Sequence, residues 1–259
     1  MKLTRDVYVV GGGRFGFGIS GPLDCHVYVL DGGDGELALV DPGLGMPGDF
    51  DLVLQNMRDD GLDPTRVRKL ILTHYHCDHV GAAAEACARL DCEVIASHIA
   101  APVIRTGDER AVALDVAKAA GFYPPDYHLP PCPVHCELRE GDQVQVGQLS
   151  LDVWETPGHC DGHLSFHIHG GDRTYLLGAD LVFWGGRILL QNIHTRRIDA
   201  YAASVAKAAA LDFDALLPGH LQISLRGGKQ HVDQAAAAFR QLGVAPNLLL
   251  QTLPGRPTS

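Results

Sequence analysis

Three features that would assign this chain to a membrane, nucleic-acid-binding or disulfide-rich class are missing. No apolar run approaches the roughly 18 residues that a membrane-spanning helix needs. Only 21 Lys and Arg residues face 31 Asp and Glu, and the formal charge of −10 argues against nonspecific binding to nucleic acid. The seven cysteines are an odd number, which fits a reducing compartment better than a disulfide framework.

What remains is a globular composition. Hydrophobic residues make up 46% of the chain and charged residues 20%, a balance that can bury a sizeable core. The first six residues lead into an apolar segment too short for a secretory signal, so we expect a cytoplasmic protein. We expect a small-molecule substrate and neither a nucleic-acid nor a membrane partner, and the sequence leaves open whether the chain forms a homo-oligomer.

Residues 74–79, with the sequence His-Tyr-His-Cys-Asp-His, concentrate three imidazoles and a carboxylate that can bind a metal. They follow the apolar run 69–73, which is typical of a buried strand. Beyond that strand, His74 and His76 can project to the same side because side chains alternate. Asp78 lies near the predicted start of an alanine-rich helix, where a capping role alone would also account for it. Imidazole and carboxylate are usual zinc donors, so the cluster predicts a divalent metal site.

Three further candidate ligands stand at the predicted ends of strands. His159 follows Thr-Pro-Gly, Asp180 follows Leu-Leu-Gly-Ala, and His220 follows Leu-Leu-Pro-Gly. Each could lie in an ordinary turn or strand exit. Each could also lie at the rim of a sheet, where loops are free to hold a metal.

In order and spacing, the whole set resembles the metallo-β-lactamase superfamily, whose pattern is His-x-His-x-Asp-His followed by a histidine, a bridging aspartate and a last histidine. The match spans residues 25–220. The resemblance implies two zinc ions, with iron or manganese as alternatives. The ligands that it assigns are His74, His76 and His159 for one metal, Asp78, His79 and His220 for the second, and Asp180 as the bridge.

The resemblance also implies the fold, a four-layer αββα sandwich of two mixed sheets flanked by helices. Periodicity by itself supports only a mixed α/β domain. Strands are predicted at residues 7–10, 25–30, 36–40, 69–73, 93–96, 149–155, 164–168, 173–177, 187–190 and 214–217, and helices at 49–60, 80–90, 106–121, 199–210 and 229–242.

We interpret residues 1–259 as a single domain with a cap inserted at 98–140. Two proline-rich stretches interrupt regular structure there, and relatives place loops over the active site at this point of the chain. A plain surface linker is the alternative. In the cap interpretation, Phe122 and Tyr123 contact the substrate.

Other substrate contacts are predicted outside this segment. The glycine-rich stretch 11–18 lacks the Lys-Ser/Thr ending of a phosphate loop, and we interpret it as a mobile loop that brings Phe15 and Phe17 near the metals. Packing of both rings on the sheet is the alternative. Phe183 and His194 lie between the bridging aspartate and the last histidine, where the chain can face the pocket.

The predicted reaction is hydrolysis of a small ester, thioester or lactone. A hydroxide between two metals would be the nucleophile, and Asp78 would act as a catalytic group that helps to protonate the leaving group. Asp180 disfavours a true β-lactamase, since enzymes of that activity with this pattern usually lack the bridging aspartate. Glyoxalase II-like thioesterases and acyl-homoserine-lactone lactonases are similar in keeping all seven ligands.

Finer distinctions rest on single features. Glyoxalase II proper carries a helical C-terminal domain that binds glutathione, whereas 39 residues follow His220 here (259 − 220), so we expect no dedicated glutathione thioesterase. The lactonases often have a tyrosine three residues after the bridging aspartate, where this chain has Phe183.

Two alternatives stay open. The stretch Thr-Pro-Gly-His-Cys-Asp-Gly at 156–162 also resembles the persulfide dioxygenases, oxidoreductases that use one iron at positions matching His74, His159 and Asp180. A phosphodiesterase would use the same metals, although the negative charge and the lack of a long nucleic-acid-binding insertion disfavour a nuclease.

Overall fold

The computed structural model describes residues 1–241 and 243–248, and its framework is two sheets that lie face to face. The first sheet has six strands in sequence order. The β1–β2 and β2–β3 pairs are antiparallel, and the later pairs are parallel. Its strands are β1 Val7–Gly11, β2 Val27–Asp31, β3 Leu37–Val40, β4 Val67–Ile71, β5 Glu93–Ser97 and β6 Cys136–Leu138.

The second sheet has five strands in the order β11-β10-β9-β8-β7. Only the β10–β11 pair is parallel. Its strands are β7 Gln143–Val146, β8 Leu149–Glu155, β9 Leu164–His169, β10 Tyr175–Ala179 and β11 Ala215–Pro218.

Helices cover the outer faces of the two sheets. They are α1 Asp49–Asp59, α2 Cys77–Val80, α3 Ala83–Leu90, α4 Ala100–Thr106, α5 Leu114–Ala119, α6 Ile198–Ala209 and α7 Lys229–Arg240, with short 3-10 turns at Pro64–Arg66 and Trp184–Gly186. None of these helices, in the part of the chain that the structure describes, has the length and apolarity needed to cross a bilayer.

Three apolar cores separate the layers. Phe166 and Tyr175 belong to the core between the sheets, Phe50 to the core between the first sheet and its helices, and Tyr201 to the core under α6 and α7. Strand β8 shows how the sequence builds them, because its alternate residues Leu149, Leu151 and Val153 are buried while their neighbours are less so. The predicted four-layer sandwich with two mixed sheets is confirmed.

Two predicted elements are wrong. The helix predicted at 106–121 is helical only over α5, apart from Thr106, which is the last residue of α4. Gly107 and Ala113 take left-handed backbone conformations (φ 61° and 53°) that end α4 and precede α5. The strand predicted at 187–190 contains only isolated bridges next to a 3-10 turn. The predicted end of the last helix, at residue 242, lies outside the described residues.

Strands β6 and β7 were not predicted. Strand β6 has only three residues and pairs with β5 at the edge of the first sheet, so tertiary pairing rather than local pattern forms it. It lies inside the predicted cap 98–140, whose last part therefore belongs to the sheet. The region predicted as a helix at 80–90 is formed by α2 and α3. Helix α2 begins before residue 80, and its N-cap is His76 rather than Asp78.

Candidate metal centre

The structure brings all seven predicted ligand residues together at one end of the sandwich. They lie in the segments that follow the carboxyl ends of four strands, with Asp78 and His79 in helix α2. Their side chains are largely buried, with Asp78 and His220 nearest to solvent. His74, His76, Asp78 and His79 follow β4, His159 follows β8, Asp180 follows β10 and His220 follows β11.

Two groups of three donors face each other. Donor atoms of His74, His76 and His159 lie within 4.8 Å of one another, and the Nε2 atom of His159 is 2.9 Å from Nδ1 of His76. Donor atoms of Asp78, His79 and His220 also lie within 4.8 Å of one another. In this second group, Oδ2 of Asp78 is 3.1 Å from Nε2 of His220 and 3.7 Å from Nε2 of His79.

The Asp180 carboxylate lies between the two groups. Its Oδ1 atom is 3.5 Å from Nε2 of His79, and its Oδ2 atom is 3.4 Å from Nε2 of His159 and 3.7 Å from Nε2 of His220. One carboxylate can therefore reach both groups.

The donor atoms suit a cation. Nε2 of His74, Nε2 of His79 and Oδ1 of Asp180 are buried without a hydrogen-bond partner among residues 1–241 and 243–248, and donor atoms of these three residues lie within 4.8 Å of one another. Burying polar atoms without a partner is costly. Burial also lowers the pKa of His74 well below its ordinary value, so its imidazole is neutral and can donate a lone pair. These residues fit a divalent metal.

An aspartate that sequence reasoning missed orients two of the histidines. Oδ2 of Asp41 is 2.9 Å from Nδ1 of His79 and accepts a hydrogen bond from the Thr73 hydroxyl at 2.7 Å. The Thr73 hydroxyl in turn lies 3.0 Å from Nδ1 of His74. Contacts of this kind fix the imidazoles so that Nε2 faces the centre. The one signal in the sequence is that Asp41 directly follows an apolar run, as His159, Asp180 and His220 do. The fold is needed to place it against His79.

Two more missed residues hold the backbone of Asp180. The amide of Asp180 donates to Nε2 of His163 at 3.2 Å, and Nδ1 of His163 contacts the hydroxyl of Thr156 at 2.8 Å. The phenol of Tyr201 donates to the Asp180 carbonyl at 2.8 Å. The loop after β10 is thereby fixed from two sides.

A cavity of about 530 Å³ opens over the candidate centre. Four of the six predicted substrate contacts line it: Phe15, Phe122, Tyr123 and Phe183. Tyr123 also donates its phenol hydrogen to Oδ1 of Asp78 at 2.9 Å, which joins the predicted cap to the metal-ligand cluster.

The other two predicted contacts lie outside the lining. The Phe17 ring packs against His26, with centroids 5.2 Å apart. His194 is exposed, because the chain turns after Asn192 and Ile193, which line the cavity in its place.

A sequence model of the family described as the metallo-beta-lactamase superfamily matches residues 20–220. The chain belongs to this superfamily. Membership supports divalent-metal binding and metal-dependent hydrolysis as the general chemistry.

Solved members of the superfamily share the fold of this chain. A metallo-β-lactamase of Cronobacter sakazakii has a TM-score of 0.71 and 22% identity, covering 93% of this chain and 96% of its own. A subclass B3 metallo-β-lactamase of Bradyrhizobium japonicum has a TM-score of 0.68 and 22% identity, covering 93% and 92%.

Relatives by sequence are named hydroxyacylglutathione hydrolase. One from Xanthomonas campestris is 26% identical over 166 residues, which cover 62% of this chain and 51% of the relative. One from Xylella fastidiosa is 27% identical over 241 residues, covering 90% and 75%. The chain thus spans about half the length of the Xanthomonas relative.

Gly219 lets the backbone of the candidate metal centre approach Asp180 closely. A Cβ atom at this position would lie 2.2 Å from Oδ1 of Asp180 and 2.8 Å from Cε1 of His79. Gly219→Ala should displace the carboxylate and weaken divalent-metal binding about tenfold or more, as loss of ligand orientation does elsewhere. Metal content after dialysis against a weak chelator, measured by plasma mass spectrometry, checks this.

Gly178→Ala is the matched control, because its added methyl would meet only side-chain carbons, the nearest at 3.2 Å. It should retain the wild-type metal content. Wild-type metal binding by the Gly219 variant would show that Asp180 is not held at the centre by this close approach.

Proposed function

We propose that this chain is a two-metal hydrolase that cleaves an ester, thioester or lactone with an apolar acyl group. The observation that carries the proposal is the position of the seven-donor group at the base of a largely apolar cavity. The donors supply the chemistry, and the cavity walls supply the selectivity.

The contacts support a division of the donors into two sites that share one residue. His74, His76 and His159 would hold one ion, and Asp78, His79 and His220 the other. Asp180 would bind both, since its carboxylate lies within 3.7 Å of ligand nitrogens from both groups. Nitrogen donors with a few carboxylates favour zinc, and iron or manganese could use the same residues.

A pair of divalent ions, when bound, acidifies a water molecule and polarises a substrate carbonyl. The protein's own groups complete the site. Asp78 and Asp180 bring two negative charges, which offset part of the cation charge and leave a positive field for the developing oxyanion. Asp78 also lines the cavity, where its carboxylate can take a proton and return it to the leaving group.

The cavity wall favours a substrate with an apolar acyl chain over a substrate that carries charged groups. Its described lining includes no Lys or Arg, and charged or titratable residues are confined to the metal-centre end. The carboxylates of glutathione would therefore lose water without gaining a partner cation, which is costly. A glutathione thioester, the substrate class in the name of the hydroxyacylglutathione hydrolases, therefore fits this cavity poorly. Apolar lining residues include Phe15, Val112, Val116, Phe122, Phe183 and Ile193.

A series of acyl substrates of increasing chain length tests the proposal. Each methylene that enters the cavity should raise kcat/KM roughly fourfold until the cavity is full, because burying a methylene contributes about 0.8 kcal/mol. Phe122→Ala should flatten this dependence, whereas Asp180→Ala should remove metal and activity for every chain length.

The comparison substrates decide between functions. A higher kcat/KM for a hydroxyacyl-glutathione than for any apolar acyl ester would contradict the proposed selectivity. A measured content of one iron per chain, with oxygen uptake when a persulfide is added and no hydrolysis, would show that the protein is a dioxygenase and not a hydrolase.

Tyr123 provides a second prediction. Its phenol donates to Oδ1 of Asp78, and this contact orients the carboxylate so that Oδ2 faces His79 and His220. Tyr123→Phe should keep the fold but weaken binding of the second ion about tenfold, the lower end of the range for lost orienting contacts. Competition with a colorimetric chelator measures the two affinities.

Tyr127→Phe is the control for this variant. The Tyr127 ring lies 5.8 Å from that of Tyr123, but its phenol donates to the carbonyl of Leu44 rather than to a predicted ligand. Equal metal affinities in the two variants would reject an orienting role for Tyr123.

A further inference from the structure

A second group of metal-ligand side chains lies on the outer face of the second sheet. His167 and His169, two residues apart on β9, project to the same face. Asp152 on β8 is directly opposite His167 in the strand register. One donor atom from each of the three residues lies within 4.8 Å of the others. Sheet geometry therefore holds two imidazoles and a carboxylate together without a loop.

Neighbouring groups orient two of these side chains. Oδ1 of Asp152 accepts a hydrogen bond from Nε2 of Gln143 at 2.8 Å, while Oδ2 lies 3.7 Å from Nδ1 of His169. Nε2 of His167 donates to the carbonyl of Asp212 at 2.9 Å, which leaves Nδ1 with its lone pair. A carbonyl or amide contact on the far side of a ligand is the usual arrangement around protein-bound metals.

This group is separate from the candidate metal centre around Asp180. Strand β9 begins next to His163, which contacts the amide of Asp180, and ends at His169. Six residues of extended chain between His163 and His169 span roughly 20 Å. Side chains of Asp152 and His169 are 35% and 39% exposed, so an ion can enter from solvent.

We propose that Asp152, His167 and His169 bind one divalent transition-metal ion, with zinc, nickel or copper as the suitable class. Two imidazoles favour these ions over magnesium or calcium, which prefer oxygen ligands. One carboxylate supplies a negative charge that partly offsets the ion. Three protein ligands leave at least one position for water or an external ligand. The proposal does not depend on the reaction at the other centre.

Zinc stoichiometry tests the proposal. Wild-type protein and a His167→Gln, His169→Gln double variant are equilibrated by dialysis against the same zinc buffer, and bound zinc per chain is measured by plasma mass spectrometry. The double variant should bind one zinc fewer than the wild type, whatever the total, and should keep the wild-type rate of ester hydrolysis. An Asp152→Asn variant should lower zinc affinity at the same site.

His128→Gln is the control, since His128 is an exposed histidine on a different segment. It should bind as much zinc as the wild type. Equal zinc in the wild type and the double variant would overturn the proposal, as would an equal fall in the control, which would indicate nonspecific binding to surface histidines.

A spectroscopic measurement on the wild-type protein tests the site without relying on variants that could fold incorrectly. Nickel added to wild-type protein whose centre around Asp180 is filled with zinc should broaden the imidazole ¹⁵N resonances of His167 and His169. Unchanged resonances for this pair at saturating nickel would also overturn the proposal.

Discussion

The Asp180 carboxylate, placed between two groups of imidazoles, is the contact on which the candidate centre depends. Its oxygens lie 3.4–3.7 Å from nitrogens of His79, His159 and His220. Several of the atoms that surround it are buried without a hydrogen-bond partner among the described residues. A protein interior does not keep such atoms without compensation. Under the proposed function, cations bound between the groups would provide that compensation and would account for the polar end of the sandwich.

The fold explains how seven side chains from four loops reach one point. Strands β4, β10 and β11 end at the same edge of the two packed sheets, and β8 delivers His159 to that edge from the second sheet. Asp41 and Thr73 fix the cluster after β4, while His163 and Tyr201 fix the loop after β10. These two segments are therefore held in part by contacts from residues outside them, Asp41 for the first and His163 and Tyr201 for the second.

Much of this could be predicted from sequence, for identifiable reasons. The cluster at 74–79 and the strand-end residues His159, Asp180 and His220 are recognisable because ligand chemistry depends on residue type and order. Asp41 was missed because an aspartate at the end of a strand has ordinary explanations, and only the fold places it against His79. Strand β6 and the break between α4 and α5 depend on tertiary pairing and on left-handed residues, which local periodicity does not reveal.

Side-chain direction was the other limit of prediction. His194 was expected in the pocket because it lies between two ligands in the sequence, yet the turn there presents Asn192 and Ile193 instead. Tyr123 was expected only to contact substrate, and its phenol also contacts Asp78. The segment that carries Tyr123 therefore contributes to both the apolar cavity and the polar centre, which links substrate recognition to ligand orientation.

Diffraction data collected at the zinc absorption edge from crystals of the zinc-loaded protein would test the central claim most directly. The account predicts two anomalous peaks about 3.5–4 Å apart, the usual spacing of paired metals, with the Asp180 carboxylate in contact with both. A single peak at this end of the sandwich, or two peaks without a shared Asp180 ligand, would contradict it.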